Sequence, residues 1–125
     1  MREQWNDSPG GFHPASAADY LPAAQLRELQ IRRLQGVVGR AYERVELFRR
    51  RMDERGLKPS DVCGLSDIVK LPFMEKADLR ETYPFGLFAS EMSEIVRLHA
   101  SSGTTGKPIV VAYTREDVEV WKEVM

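Results

Sequence analysis

The sequence predicts an α/β protein in which helices come first and a β-hairpin follows. Apolar residues recur at helical spacing from Ala23 to about Val45. Two β-rich runs, Glu94 to Ala100 (EIVRLHA) and Ile109 to Tyr113 (IVVAY), stand on either side of a loop rich in glycine and hydroxyl groups. We therefore divide the chain into a polar arm (1–13), a helical region (14–90) and a hairpin with a following helix (91–125).

Turn and capping signals bound the remaining helices. A second helix is predicted from about Glu46 to Arg55, where a glycine follows. A third is predicted from Glu75 to Tyr83, because the next residue is a proline that cannot continue it. Thr114, with Asp117 three residues later, forms a capping box that begins the last helix.

Two features of the helical region concern packing. Gly36 and Gly39 each cost about 1 kcal/mol relative to alanine inside a helix, which indicates close contact with a neighbouring element. The run Arg49-Arg50-Arg51 has no interleaved aromatic residues, so we interpret it as a solvated helix face and not as an RNA-binding patch.

Composition and charge exclude several classes of function. The chain has 125 residues, 42% of them hydrophobic, and a net charge of −1, which gives it no electrostatic basis for binding nucleic acid or a membrane surface. Cys63 is the single cysteine, so neither an internal disulfide nor a thiolate zinc cluster is possible. The N-terminus lacks the apolar core of a signal peptide, and no apolar run approaches the roughly 20 residues of a membrane helix. We expect a cytoplasmic protein with no metal site in this chain.

The loop between the β-rich runs predicts a phosphate-binding site. Its residues are Ser101, Ser102, Gly103, Thr104, Thr105, Gly106 and Lys107, followed by Pro108. Glycines permit positive φ, so that successive backbone N–H groups point into one concavity, and the hydroxyls add donors. The lysine supplies a mobile positive charge. A hairpin turn without a ligand is the alternative interpretation.

This loop is not a Walker A motif. The position five residues before Gly106 is Ser101 where that motif has glycine, and Pro108 occupies the place of the Mg²⁺-binding hydroxyl. The next element is also predicted as a strand, whereas a Walker loop opens a helix. His99, two residues before the loop, has two open roles, packing on the strand or contact with substrate or phosphate.

The loop SSGTTGKP resembles the phosphate-binding loop of the adenylate-forming enzymes, the superfamily of acyl- and aryl-CoA synthetases and luciferases. Its context, LPFMEKADLRETYPFGLFAS and then EIVRLHASSGTTGKPIVVAYT, resembles the phenylacetate–CoA ligase family. The resemblance extends from about Leu21 to Met125. It implies an N-terminal fragment whose hairpin is the first of the large adenylate-forming, AMP-binding domain.

The resemblance also implies a reaction and its participants. A small aromatic acid, phenylacetate, attacks the α-phosphate of MgATP, and the thiol of coenzyme A then displaces AMP from the acyl-adenylate. Ser101 to Lys107 would surround the β- and γ-phosphates. No catalytic residue is expected in this chain, because the segments that bind the base, the ribose and Mg²⁺ lie downstream in the family, so the fragment should be inactive alone.

Two expectations concern the chain as a whole. Without the strands that should cover its hairpin, it is expected to expose apolar edges and to form a homo-oligomer. The alternative function, from another class, is a stand-alone helical interaction module that retains a relic of the phosphate loop.

Overall fold

The computed structural model describes residues 20–101, 106 and 108–125. The helices are α1 (Ala23–Arg44), α2 (Glu46–Glu54), α3 (Lys76–Glu81) and α4 (Arg115–Val124), and the strands are β1 (Ile95–Ser101) and β2 (Ile109–Thr114). Short 3₁₀ turns occupy Pro59–Asp61, Leu65–Lys70 and Met92–Glu94. Helices followed by one antiparallel hairpin confirm the predicted α/β class.

A small apolar core joins α1, α2 and the turn after them. Val38, Met52 and Val62 are buried and pack together, and Met52 has no exposed surface. Partly buried apolar side chains surround these three residues: Ile31, Leu34, Tyr42, Phe48, Leu57 and Leu71. Since residues 31, 34, 38 and 42 recur at helical spacing, one face of α1 supplies much of this core.

One glycine makes a close backbone approach, and it is not one that the sequence singled out. A Cβ at Gly36 or Gly39 would meet no described atom within 4 Å, so the expected close contact along α1 is wrong. At Gly86, after α3, a Cβ would lie 2.7 Å from the carbonyl oxygen of Thr82 and 2.8 Å from its Cβ. The turn there has no room for a side chain.

A buried carboxylate connects α2 to α3. Asp78 is 3% exposed, and its two oxygens accept hydrogen bonds from the two terminal nitrogens of Arg51 at 2.6 and 2.7 Å. The backbone N–H of Glu75 donates to the same side chain at 2.7 Å. The Arg51 guanidinium, and next the Glu75 amide, hold the pKa of Asp78 below its usual value.

This ion pair corrects one expectation for the arginine run. Arg49 and Arg50 are exposed, as predicted, but Arg51 is partly buried and also donates to the carbonyl oxygen of Phe73 at 2.8 Å. The guanidinium can therefore satisfy a carboxylate and a backbone carbonyl together, which suits its planar set of donors. Arg51 is a structural residue that fixes α2 against the segment leading into α3.

A second polar cluster lies near the ends of α1 and α2. Lys58 donates to the hydroxyl oxygen of Tyr42 at 2.7 Å and to the carboxylate of Asp53, and the Tyr42 hydroxyl donates to that carboxylate at 2.7 Å. Asp53, and then Tyr42, raise the pKa of Lys58, while Lys58 and then Tyr42 lower the pKa of Asp53. The side chains of Lys58 and Asp53 are about half exposed, so solvent screens their attraction.

Within the described ranges, none of the helices has both the length and the apolar composition that crossing a bilayer requires.

Candidate functional site

The hairpin brings the two ends of the predicted phosphate loop together. β1 and β2 pair in antiparallel fashion from Ile95 opposite Thr114 to Ser101 opposite Ile109, with one irregularity between Ile95 and Arg97. The β-branched residues of these strands favour such a pleated arrangement. Because Ser101 and Ile109 are the last pair, the residues between them leave and re-enter the sheet at adjacent positions.

Two of the seven residues predicted to bind phosphate belong to the described part of the chain. Ser101 is exposed at the end of β1. Gly106 is exposed and has a φ of +124°, a backbone conformation that residues other than glycine rarely adopt. The others, Ser102, Gly103, Thr104, Thr105 and Lys107, lie outside the described residues. The positive φ agrees with the expectation that glycine gives this loop its backbone freedom.

Three rings lie together on one face of the hairpin. The imidazole of His99 lies 5.1 Å from the Tyr113 ring and 6.1 Å from the Trp121 ring, in edge-on orientations. Tyr113 and Trp121 stack at 5.5 Å. The Arg97 guanidinium lies 5.7 Å from the Trp121 ring, within cation–π range. We call His99, Tyr113 and Trp121 the ring cluster.

The ring cluster shows His99 packed against Tyr113 and Trp121, the first of its two predicted roles, while contact with substrate or phosphate stays a prediction. These partners, Tyr113 from β2 and Trp121 from α4, were not connected with His99 by sequence reasoning. A signal existed, because alternation along β1 and β2 places Arg97, His99 and Tyr113 on one face once the register is known. The register itself cannot be read from the sequence.

A capping box holds the start of α4 in place. The backbone N–H of Asp117 donates to the Thr114 hydroxyl oxygen at 3.2 Å, and the Asp117 carboxylate accepts from the Thr114 backbone N–H at 2.8 Å. This confirms the prediction made from these two residues. With its first turn fixed, α4 lies against the hairpin, and Trp121 reaches the rings of β1 and β2.

The opposite face of the hairpin borders an apolar cavity of about 220 Å³. Its walls include Leu79 of α3, Pro84 and Phe88 of the following connection, and Val110 and Ala112 of β2. Since side chains alternate along a strand, Val110 and Ala112 point away from the ring cluster. The hairpin therefore faces the helical region across this cavity through Val110 and Ala112, and it contacts α4 through the ring cluster.

The remaining groups of chemical interest in the described part of the chain are potential metal ligands and the thiol of Cys63. Among those residues, no three His, Cys, Asp or Glu side chains lie close enough together to hold a metal ion. Cys63 is exposed, and its thiol donates to the carbonyl oxygen of Ser60 at 3.5 Å.

Comparison with known sequences relates the chain to a single kind of enzyme. It is 52% identical to the phenylacetate–coenzyme A ligase of Thermus thermophilus over 105 residues, 84% of this chain and 24% of that protein. Over 118 residues it is 46% identical to the ligase of Aromatoleum evansii, covering 94% of this chain and 26% of that protein. Over these residues, the chain belongs to the phenylacetate–CoA ligase family. This confirms the resemblance carried by the loop and its context.

Solved structures agree with this assignment. A structure of 2-hydroxyisobutyryl-CoA ligase with 2-HIB-AMP and CoA matches 78% of this chain at 36% identity and a TM-score of 0.70, and the match covers 22% of that protein. An open conformation of the same ligase matches with a TM-score of 0.67 at 34% identity. The chain spans about a quarter of the length of the curated ligases it matches. No protein-family model matches it.

Proposed function

We propose that this chain is the N-terminal part of an ATP-dependent aryl-CoA ligase and that residues 101–107 bind the phosphates of ATP. The reaction would convert phenylacetate, ATP and CoA into phenylacetyl-CoA, AMP and diphosphate. Identities of 46–52% to phenylacetate–CoA ligases support the reaction class. In this proposal, residues 91–125 begin the AMP-binding domain and residues 14–90 form the helical region before it.

The hairpin is the observation that carries the assignment of the phosphate site. Pairing of Ser101 with Ile109 closes the loop at its base, and the positive φ of Gly106 is compatible with a turn whose backbone N–H groups bind an anion. When the acid attacks the α-phosphate, diphosphate departs with growing negative charge. Donors already arranged around the β- and γ-phosphates stabilise that charge most strongly in the transition state.

Other parts of the whole protein would complete the active site. In this proposal the acid that helps to hold Mg²⁺ would come from a further segment of the ligase, as the family resemblance implies. The sites for CoA and for the aromatic acid would likewise involve further segments, and the isolated chain is expected to be inactive. The cytoplasmic location stays a prediction from the sequence.

Binding measurements on the 125-residue chain test the phosphate site. In calorimetric titrations we expect MgATP and inorganic diphosphate to compete for one site. The double variant Thr104→Val/Thr105→Val removes two hydroxyl donors at nearly constant volume, and should bind about tenfold more weakly or worse. Ser93→Ala, which removes an exposed hydroxyl in the 3₁₀ turn that precedes β1, serves as the control. Equal binding by the double variant and the wild type would contradict the assignment.

Activity measurements test the reaction class and require the product of the complete reading frame that contains this sequence. With phenylacetate, MgATP and CoA, we expect thioester, AMP and diphosphate in equal amounts. Related aromatic acids should be compared in the same assay, because the chain itself does not determine the acid. Formation of ADP and phosphate, or turnover that is independent of the acid, would contradict the proposal.

A further inference from the structure

The ring cluster is placed where it could control the geometry of the phosphate loop. On β1, His99 is two residues before Ser101, and both belong to the same face of the hairpin. Their partners on β2 are Val111 and Ile109, so a single cross-strand pair, Ala100 with Val110, separates His99 from the last pair before the loop. Trp121 of α4 reaches this face through its contacts with His99 and Tyr113.

Such support matters because a two-stranded sheet has little stability of its own. Packing of the hairpin against α4 adds aromatic contacts, which favour a single arrangement of the strand ends. A loop anchored on fixed strand ends loses less conformational freedom when a ligand binds, so anchoring raises affinity without touching the ligand.

We propose that His99 is a positioning residue for the phosphate loop and acts through its ring contacts with Tyr113 and Trp121. This inference rests on the proposed function of the loop. It makes the ring of His99, and not its polar nitrogens, the property that affinity for phosphate depends on. If an imidazole nitrogen contacted the phosphates directly, affinity would depend on the polar nitrogens of His99 and not on its ring.

Three substitutions separate these two possibilities. His99→Phe keeps a ring and removes the polar nitrogens, whereas His99→Asn keeps a polar donor and removes the ring. His99→Ala removes both. The background is the Trp5→Phe variant of the 125-residue chain, in which Trp121 is the single remaining tryptophan and reports on the ring cluster through its fluorescence.

We expect diphosphate titrations to give His99→Phe an affinity within about threefold of the background. Binding should weaken by about tenfold in His99→Ala and His99→Asn, because a less well anchored loop loses more conformational freedom when diphosphate binds. The Trp121 emission of the free chain should change in the Ala and Asn variants more than in the Phe variant. Leu98→Ala, on the other face of β1, is the matched control, and its affinity should equal that of the background.

Several outcomes would overturn the inference. One is a His99→Ala variant that binds diphosphate as tightly as the background. Another is a His99→Asn variant that binds as tightly as the background while His99→Phe binds weakly. The third is a Leu98→Ala variant that loses as much affinity as His99→Ala. If His99→Ala does not fold, as judged by circular dichroism, the comparison of Phe with Asn still decides. A background chain that binds no diphosphate would overturn the proposed function, and this inference with it. If the background chain binds diphosphate and substitutions of His99 leave that affinity unchanged, only the inference is overturned and the proposed function stands.

Discussion

At the scale of single residues, Asp78 is the most constrained charge in the described part of the chain. Its side chain is 4% exposed, and Arg51, 27 residues earlier, satisfies both oxygens. A buried carboxylate that keeps its charge must have such partners, because desolvation disfavours the ionised form. Removing either partner should therefore be far more damaging than removing the exposed pair of Arg50 and Glu54, whose atoms are 3.8 Å apart.

The first prediction concerns the acid dependence of stability. The pKa of Asp78 is lower in the folded chain than its ordinary 3.8, so the folded state gives up this proton more readily than the unfolded state. The stabilisation is then complete above the unfolded pKa and is lost as pH falls through the lower folded pKa. In Asp78→Asn, the melting temperature should be lower than in wild type at pH 7, and the difference should shrink as pH falls below about 4.

Thermal unfolding followed by circular dichroism from pH 7 to pH 2 measures this difference. Lys70, and then the backbone amides of Gly64 and Cys63, lower the pKa of Asp67 to about 2, and the pKa of Asp53 is lowered as well. Both of these groups titrate in wild type and in the variant alike. Comparison with the variant therefore isolates Asp78. Glu54→Gln is the control and should follow the wild-type profile. Parallel profiles for wild type and Asp78→Asn would contradict the assigned role.

Sequence reasoning at this scale succeeded where partners are neighbours along the chain. Thr114 and Asp117 are three residues apart, so helix geometry alone brings their side chains to each other's backbone, and the capping box was predictable. Helical spacing does separate Arg51 from Arg49 and Arg50, because Arg51 follows Leu47 by four residues and so lies on the buried face of α2. The sequence could not indicate its partner, because Arg51 and Asp78 meet only after α2 and α3 have packed.

At the scale of elements, the glycines give a matched pair of predictions. In Gly86→Ala, the new Cβ would meet the backbone and Cβ of Thr82 inside 3 Å, so the turn after α3 must shift, at a cost of about 1–3 kcal/mol. Gly39 is in the middle of α1 and has open space where a Cβ would stand. Gly39→Ala should therefore raise the free energy of unfolding, by up to about 1 kcal/mol.

Urea unfolding of both variants beside wild type, followed by the helical circular dichroism signal, checks the signs. Opposite signs are expected even if both magnitudes are small. A loss of stability in Gly39→Ala would mean that another part of the chain covers that position. A neutral Gly86→Ala would mean that the turn relaxes without cost.

The helices and strands themselves were largely predictable because each carries a local signal. Helical spacing and turn residues gave α1 and α2 to within about one residue, and alternation gave β1 and β2. α3 is shorter than predicted and ends at Glu81. The carbonyl oxygen of Asp78 accepts hydrogen bonds from the backbone N–H of Thr82 at 3.0 Å and from its hydroxyl at 2.7 Å, a back-bond to position i−4 that Ser and Thr commonly make.

At the scale of the whole molecule, the family could be recognised from the sequence because its signal is a contiguous loop with a contiguous context. The ring cluster could not be recognised in the same way, because it depends on strand register and on the direction of α4. Both conclusions concern the same hairpin. The loop is a local sequence feature, whereas its supporting rings come from three separate elements.

The 125-residue chain is predicted to self-associate. The chain spans about a quarter of its relatives, and its hairpin and last helix leave Val96 51%, Leu98 48% and Val120 54% exposed. Among the described residues, neither outer edge of the sheet is paired with another strand, and such edges readily accept one. Size-exclusion chromatography with light scattering should therefore show dimers or larger species whose population grows with concentration.

The double variant Val96→Lys/Leu98→Lys should shift the population towards monomer, because a charge on exposed apolar surface opposes its burial. The control Val69→Lys, at an exposed site in the helical region, should cause no such shift. A wild-type chain that stays monomeric at every concentration would show that the exposed apolar surface is tolerated in solution.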